Sequence, residues 1–284
     1  MEEYYNENKD LFSILEEKMT YTKDILKQQL KEMGLEETDS LMLHSSMKAI
    51  GNAENGADSV LDAFMEYFSR GLFMTPAHTW KQMNENYNIF NPETEPACVG
   101  IIPNIFLKRK EVFRSLHPTH SIAAYGVNAK EFVKGEENMT TPCGKGGCWN
   151  RLYDINAKIL LVGVTHIRNT YIHAIEEVFD VPERFTEKPT LFKIKMPDGS
   201  LKEVNMYRHY NPKTAHISEN FDKMLEGYFK TGAAKKVQFG DAESILCDAI
   251  KLFEVTEKIL KKEINCFIDR KEIPEEWFSK DKQI

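Results

Sequence analysis

Along the chain the apolar positions change period several times, and each change predicts an element. Leu11, Ile14 and Leu15, then Ile25, Leu26, Leu30 and Met33, recur at helical spacing. Two short helices are therefore expected within residues 9–34, the second capped by Thr22 and stopped by Gly34. The run SLMLHSS keeps its apolar character until His44, Ser45 and Ser46, so it reads as a buried strand opening into a polar turn. Val60, Leu61, Phe64, Met65 and Phe68 trace one face of a helix with Gly71 beyond its end. Leu72 to Thr75 then forms a second strand, ended by Pro76. Strand, helix and strand in this order are what a parallel βαβ unit needs.

The segment from Ala77 to Cys98 mixes asparagines, two prolines and scattered aromatics. An irregular stretch of that length inside a compact domain usually has a functional role. A short helix is expected from Pro103 to Lys110, a loop from Phe113 to His120, a strand from Ser121 to Gly126 and a helix from Asn128 to Lys134. Residues 135–150 read as a Gly-rich loop, and Ile159 to Val164 as a strand. After Pro182, LFKIKM and SLKEVNMY alternate around Pro197-Asp198-Gly199-Ser200, a strong hairpin pattern. Helices are expected from Ser218 to Lys230 and from Asp241 to Lys262. The fold class is α/β: a central mixed, largely parallel sheet flanked by helices, with a C-terminal hairpin and helices, in one domain over residues 1–284.

Composition narrows the setting. With 42% hydrophobic and 29% charged residues and a mean hydropathy of -0.47, this is a globular protein with no apolar run long enough for a membrane helix. The opening MEEYYNENKD is acidic and polar where a signal peptide would be basic and then apolar. Five irregularly spaced cysteines give no disulfide framework. A cytoplasmic location is expected, with no membrane partner. A net charge of -7 disfavours nucleic acid and weakly favours cationic small molecules. Monomer and homodimer both remain open.

Candidate chemistry concentrates between Lys158 and Glu177. Ile159, Leu160, Leu161, Val162 and Val164 suit a central strand buried on both faces. Thr165 to Arg168 would be the turn at its carboxyl end, where open α/β sheets place ligands. A helix starting near Asn169 puts Thr170, His173 and Glu177 on one side, with Glu176 also in reach of His173. A histidine backed by a carboxylate makes a general base; the plain alternative is a satisfied histidine beside a solvated acidic face.

His117 and His120 could contribute to a metal site with His44, His166 or His173. Pro118 opposes the helix that would hold both on one face, and no carboxylate stands at a recognised metal spacing. A tight polar turn lining a ligand is the preferred reading. The turn at His44-Ser45-Ser46 can hold phosphate or amide groups, or simply connect two elements. The loop from Cys143 to Cys148 lacks the Walker spacing and is at most half a zinc site.

Five motifs, in order, carry a resemblance: LHSSMKAIG from Leu43, MTPAHTW from Met74, RSLHPTHSIAAYG from Arg114, ILLVGVTHIRNTYIHAIEE from Ile159 and GDAESILCDA from Gly240. Between Leu41 and Leu252 the chain resembles the aminoglycoside 3-N-acetyltransferase family. The resemblance implies that family's fold, distinct from the usual small acetyltransferase fold, and acetyl-coenzyme A as co-substrate with no metal. It implies acetylation of a small-molecule amine, such as the 3-amino group of a 2-deoxystreptamine aminoglycoside antibiotic, by direct attack in a ternary complex. His173 matches the family's catalytic histidine and Glu176 its carboxylate; Thr165 or the amides near Ser121 would stabilise the oxyanion. His44, Ser45 and Ser46, with Pro118, Thr119, His120, Ser121 and Ile122, would lie beside the pantetheine arm. His78, Thr79, Trp80 and Glu177 fall on the acceptor side.

One stretch departs from the family. Tyr207-Arg208-His209-Tyr210 stands where its resistance enzymes carry acidic residues, and Arg208 would repel a polycationic acceptor. The alternatives are a metal-dependent hydrolase using His117 and His120, and a non-catalytic coenzyme A-binding module.

Overall fold

The computed structural model describes residues 19–213 and 216–279; the helix expected around Leu11 to Leu15 lies outside them. The second expected helix is α1 (Lys23–Glu32), where the Thr22 hydroxyl accepts the Ile25 N–H at 3.3 Å. There follow β1 (Ser40–Ser45), α2 (Met47–Ile50), α3 (Ala57–Tyr67), β2 (Leu72–Pro76), β3 (Ile89–Phe90), α4 (Ile101–Phe106), β4 (Phe113–Arg114), β5 (Ile122–Gly126) and α5 (Ala129–Phe132). The rest of the chain gives α6 (Cys148–Asp154), β6 (Lys158–Val162), α7 (Tyr171–Val178), β7 (Thr190–Lys195), β8 (Leu201–Met206), α8 (Leu225–Thr231), β9 (Ala234–Phe239), β10 (Ala242–Asp248) and α9 (Ala249–Lys262).

A seven-stranded sheet runs in the order β4-β5-β2-β1-β6-β10-β9. It is mixed, as expected, but its parallel part is narrower than "largely parallel" suggests. Only β2, β1 and β6 run parallel to one another; the flanking pairings are antiparallel. The two central strands are apolar on both faces because both faces are covered. Met42, Ile159 and Leu161 face a core containing Trp149, Tyr171 and Leu252. Leu41, Leu43, Leu160 and Val162 face another with Leu26, Phe64 and Phe73. In that second core Phe64 stacks on Phe73 at 5.0 Å between ring centroids, and each such buried ring contributes roughly 1.5–3 kcal/mol.

The hairpin of β7 and β8 forms around Pro197–Ser200, where Asp198 Oδ1 accepts the Ser200 N–H at 2.9 Å. It does not join the main sheet. Its partner is β3, inside the irregular segment, in a three-stranded sheet around Met83, Phe90, Phe192, Ile194 and Met206.

The helix expected from Asp241 is corrected in its first part: Ala242–Asp248 is strand β10, hairpinned to β9 and paired with β6. Ile245 to Cys247 are buried by that pairing, which overrides a local pattern compatible with either element. The helix proper starts at Ala249, where Asp248 Oδ1 caps the Lys251 N–H at 3.1 Å. Ser218 to Lys230 splits into a 3-10 stretch, Ile217–Met224, followed by α8. The Gly-rich loop closes with α6, which the sequence pattern did not indicate. Among the described residues no helix is long and apolar enough to cross a membrane.

Candidate active site

The carboxyl ends of β1 and β6 lie side by side, with His44 opposite Leu161 and Ser45 opposite Val162. Gly163 ends β6 at φ +60°, and a Cβ there would come within 2.2 Å of the Ala49 Cβ. Only glycine lets α2 pack this close. The Ser46 N–H then donates to the Val162 carbonyl at 2.9 Å, tying the two strand exits together. A cleft of about 930 Å³ opens above them, at the position where parallel strands of α/β sheets hold ligands.

His173 stands on this cleft from the first turn of α7. Its Nδ1 is 3.0 Å from Glu176 Oε2, one helical turn on. A carboxylate only accepts, so Nδ1 carries the proton and the Nε2 lone pair is left to the cleft. Glu176 is itself held by Arg184, whose Nε donates to Oε1 at 2.6 Å; both side chains are buried. Burial works to raise the Glu176 carboxyl, yet its bonds from His173 and Arg184 prevail and hold it below the ordinary carboxylate value. The His173 imidazole is pushed down, by burial first and by His209 next, against the upward pull of Glu176. The ring is neutral at neutral pH and able to accept a proton.

His209 forms a second dyad beside the first. Its ring lies 4.3 Å from that of His173, and its Nε2 donates to Glu177 Oε1 at 2.7 Å. Glu177 also accepts the Thr141 hydroxyl at 2.6 Å and the Cys143 N–H at 2.8 Å. Further rings continue the wall: His120 is 5.4 Å from His209, His78 is 4.7 Å from His120, and Trp149 lies between His78 and His44 at 5.3 and 6.0 Å. Burial pushes His44 down to about 3 and holds His78 and His120 well below the usual histidine range.

The expected site residues fall into three groups. His173, His44, Ser45, His120, His78 and Trp80 line the cleft. Glu176 and Glu177 stand behind it, orienting His173 and His209. The others are directed elsewhere. The Thr165 hydroxyl donates to Asp222 at 2.8 Å and is not on the cleft wall, because the turn after β6 points it outward. Ser46 begins α2. The Thr79 hydroxyl donates to the Pro118 carbonyl, and Thr119 and Ile122 are buried in the packing behind. Ser121 is spent between the Ala77 carbonyl and Arg114.

The metal reading on His117 and His120 loses its first ligand. His117 Nδ1 accepts the N–H groups of Thr119 and His120, at 3.2 and 2.8 Å, and its Nε2 donates to the Thr141 carbonyl at 3.1 Å. Both nitrogens are engaged, and His166 is buried away from the cleft against Tyr228. Among the described residues the one cluster with metal-ligand spacing is Cys143, Glu177 and His209. There the carboxylate already accepts the three donors just described.

Sequence reasoning did not single out Trp149, Arg184, His209 or the half-buried Cys98 that lines the cleft. His209 stood out only as part of a departure. The others sit in segments whose conformation depends on the rest of the fold.

A neutral imidazole, aimed by a buried carboxylate and facing a cleft of this size, is the equipment of an enzyme that takes a proton from a nucleophile. The chain belongs to the aminoglycoside 3-N-acetyltransferase family, whose profile it matches over residues 42–261. It is an acyltransferase of the aminoglycoside N(3)-acetyltransferase kind. It is 24% identical over 256 residues to aminoglycoside N(3)-acetyltransferase IX of Micromonospora chalcea, covering 82% of this chain and 90% of that protein. Its fold is that of a mutant of aminoglycoside acetyltransferase AAC(3)-IVa in complex with a gentamicin, at a TM-score of 0.76 and 23% identity, covering 88% of this chain and 92% of the other. It is likewise that of AAC-IIIb with CoASH, at 0.74 and 20%, covering 86% and 97%.

Proposed function

We propose that this protein transfers the acetyl group of acetyl-coenzyme A to the amine of a small molecule, both substrates meeting in the cleft. The observation that carries the reading is His173, protonated on Nδ1 toward Glu176 and unprotonated on Nε2 toward the cleft. Membership of the acetyltransferase family supports it, as does the coenzyme A bound by a protein of the same fold.

As the amine nitrogen attacks the thioester carbonyl, its proton passes to His173 Nε2, and Glu176 stabilises the imidazolium that forms. The tetrahedral oxyanion collapses, the C–S bond breaks, and the departing thiolate takes the proton back from Nε2. No acyl-enzyme is required, so the cysteines have no part in the chemistry. Ser45 and His120, both on the cleft wall, would flank the pantetheine arm. With Thr165 turned outward, the Thr170 hydroxyl is the better donor for the oxyanion: it lies one turn before His173 and 3.0 Å from His78 Nε2, and with that nitrogen protonated it accepts from His78 and keeps its own proton for the oxyanion.

The test is release of free thiol from acetyl-coenzyme A in the presence of an amine panel. His173→Ala should lose about 10² to 10⁴ in rate. Failure of the unaltered protein to bind coenzyme A in the millimolar range would sink the reading.

A further inference from the structure

The cleft's charge is opposite to that of the protein around it. Of the chain's residues 44 are acidic and the net charge is -7, yet among the described residues no aspartate or glutamate lines the cleft. Its unconditional charges are Lys81, Arg168 and Arg208. Among the described residues none of these three has a carboxylate partner, whereas other surface cations such as Lys23, Arg109 and Lys213 do. The carboxylates nearest the base, Glu176 and Glu177, are not free to serve an acceptor: their side chains are 1% and 5% exposed and already bonded.

Arg208 is the cation that bears on the acceptor. It immediately precedes His209, whose ring lies against His173, and its guanidinium is fixed by donating to the Trp80 carbonyl at 2.6 Å. One N–H of five is spent there, and the remaining donors keep the planar fork that suits a carboxylate or phosphate. Arg168 and Lys81 are exposed at the cleft's edge, where coenzyme A, itself anionic, can use them.

We propose that the acceptor is a small amine that also carries an anionic group, carboxylate or phosphate, bound by Arg208 while its amine faces His173. A polycation would meet three positive charges there and no available negative one. The proposal rests on the acetyl-transfer reading above and narrows its substrate.

The test is calorimetric binding to the protein saturated with coenzyme A. The probes are γ-aminobutyrate, phosphoethanolamine and, as the polycation, gentamicin. At least one anionic amine should bind tenfold or more tightly than gentamicin, a margin of about 1.4 kcal/mol; which one does so separates carboxylate from phosphate. Arg208→Glu should reverse the order and Arg208→Lys should preserve it. The proposal is overturned if gentamicin binds as tightly or more tightly, if neither anionic amine binds in the millimolar range, or if Arg208→Glu folds and keeps the order. The order in the unaltered protein decides even where a variant misfolds. Binding in the expected order without thiol release would instead refute acetyl transfer and leave the ligand class standing.

Discussion

Glu176→Gln tests the base most directly, because it changes one atom in a fully specified environment. Arg184 can only donate, so the glutamine carbonyl must face its Nε, now 2.6 Å from the carboxylate. The amide NH₂ then faces His173 Nδ1, where the carboxylate oxygen stood at 3.0 Å. Nδ1 must become the acceptor, and the single proton of the neutral ring moves to Nε2. The lone pair aimed at the cleft is gone while the shape of the site is unchanged. The expected loss is the general-base contribution, about 10² to 10⁴ in turnover. Replacing a charged pair by an amide at a buried arginine should also cost about 2 kcal/mol of stability. Thiol release measures the first effect and urea unfolding the second. Nitrogen NMR of the histidine rings should report the tautomer change itself, which a merely structural defect would not produce. A glutamine variant with Nε2 protonated and turnover within a few-fold of the original would refute the assignment of His173.

Three other perturbations probe the surroundings. His44 and His166 are both held at about 3 by burial, against about 6.5 unfolded, so their contribution is complete above pH 6.5 and is lost as pH falls toward 3; below 6.5 the pair should cost about 2.7 kcal/mol per pH unit in urea titrations. A flat profile from neutrality to about pH 5 would contradict their neutral burial. His209→Ala removes a neighbour that depresses His173, so the acid limb of kcat/KM should move to higher pH; a downward move would count against the coupling. Cys98 alone of the five cysteines is not fully buried, and it lines the cleft. Coenzyme A should therefore slow its alkylation, followed by mass spectrometry, and equal rates with and without coenzyme A would place the ligand elsewhere.

The parts of the fold that could be read from the chain are those whose signal is local. The β1, α3 and β2 unit shows in its periodicity, and the β7–β8 turn in Pro197 to Ser200. His173 and Glu176 meet because three residues on a helix make neighbours, whatever the rest of the chain does. Contacts between distant segments left no such trace. Glu177 reaches His209 across 32 positions, and Arg184 closes on Glu176 only after the chain has left α7 and turned back. β10 shows the same limit: Ala242 to Asp248 becomes a strand because β6 offers it an edge. Thr165 was placed in the correct turn, but which way its hydroxyl faces is decided by Asp222, from the 3-10 stretch before α8.

The ring-to-ring contact between His173 and His209 also sets how firmly His173 can keep a proton. Burial and then the neighbouring ring both push the His173 imidazole down, so a proton taken up on Nε2 is held loosely. His173 is therefore a shallow proton store, filled by the one proton that arrives from a nucleophile. It must empty onto the leaving group before the next nucleophile can be activated. Bond making and bond breaking are thus kept in step by the weakness of that hold, with no moving part required.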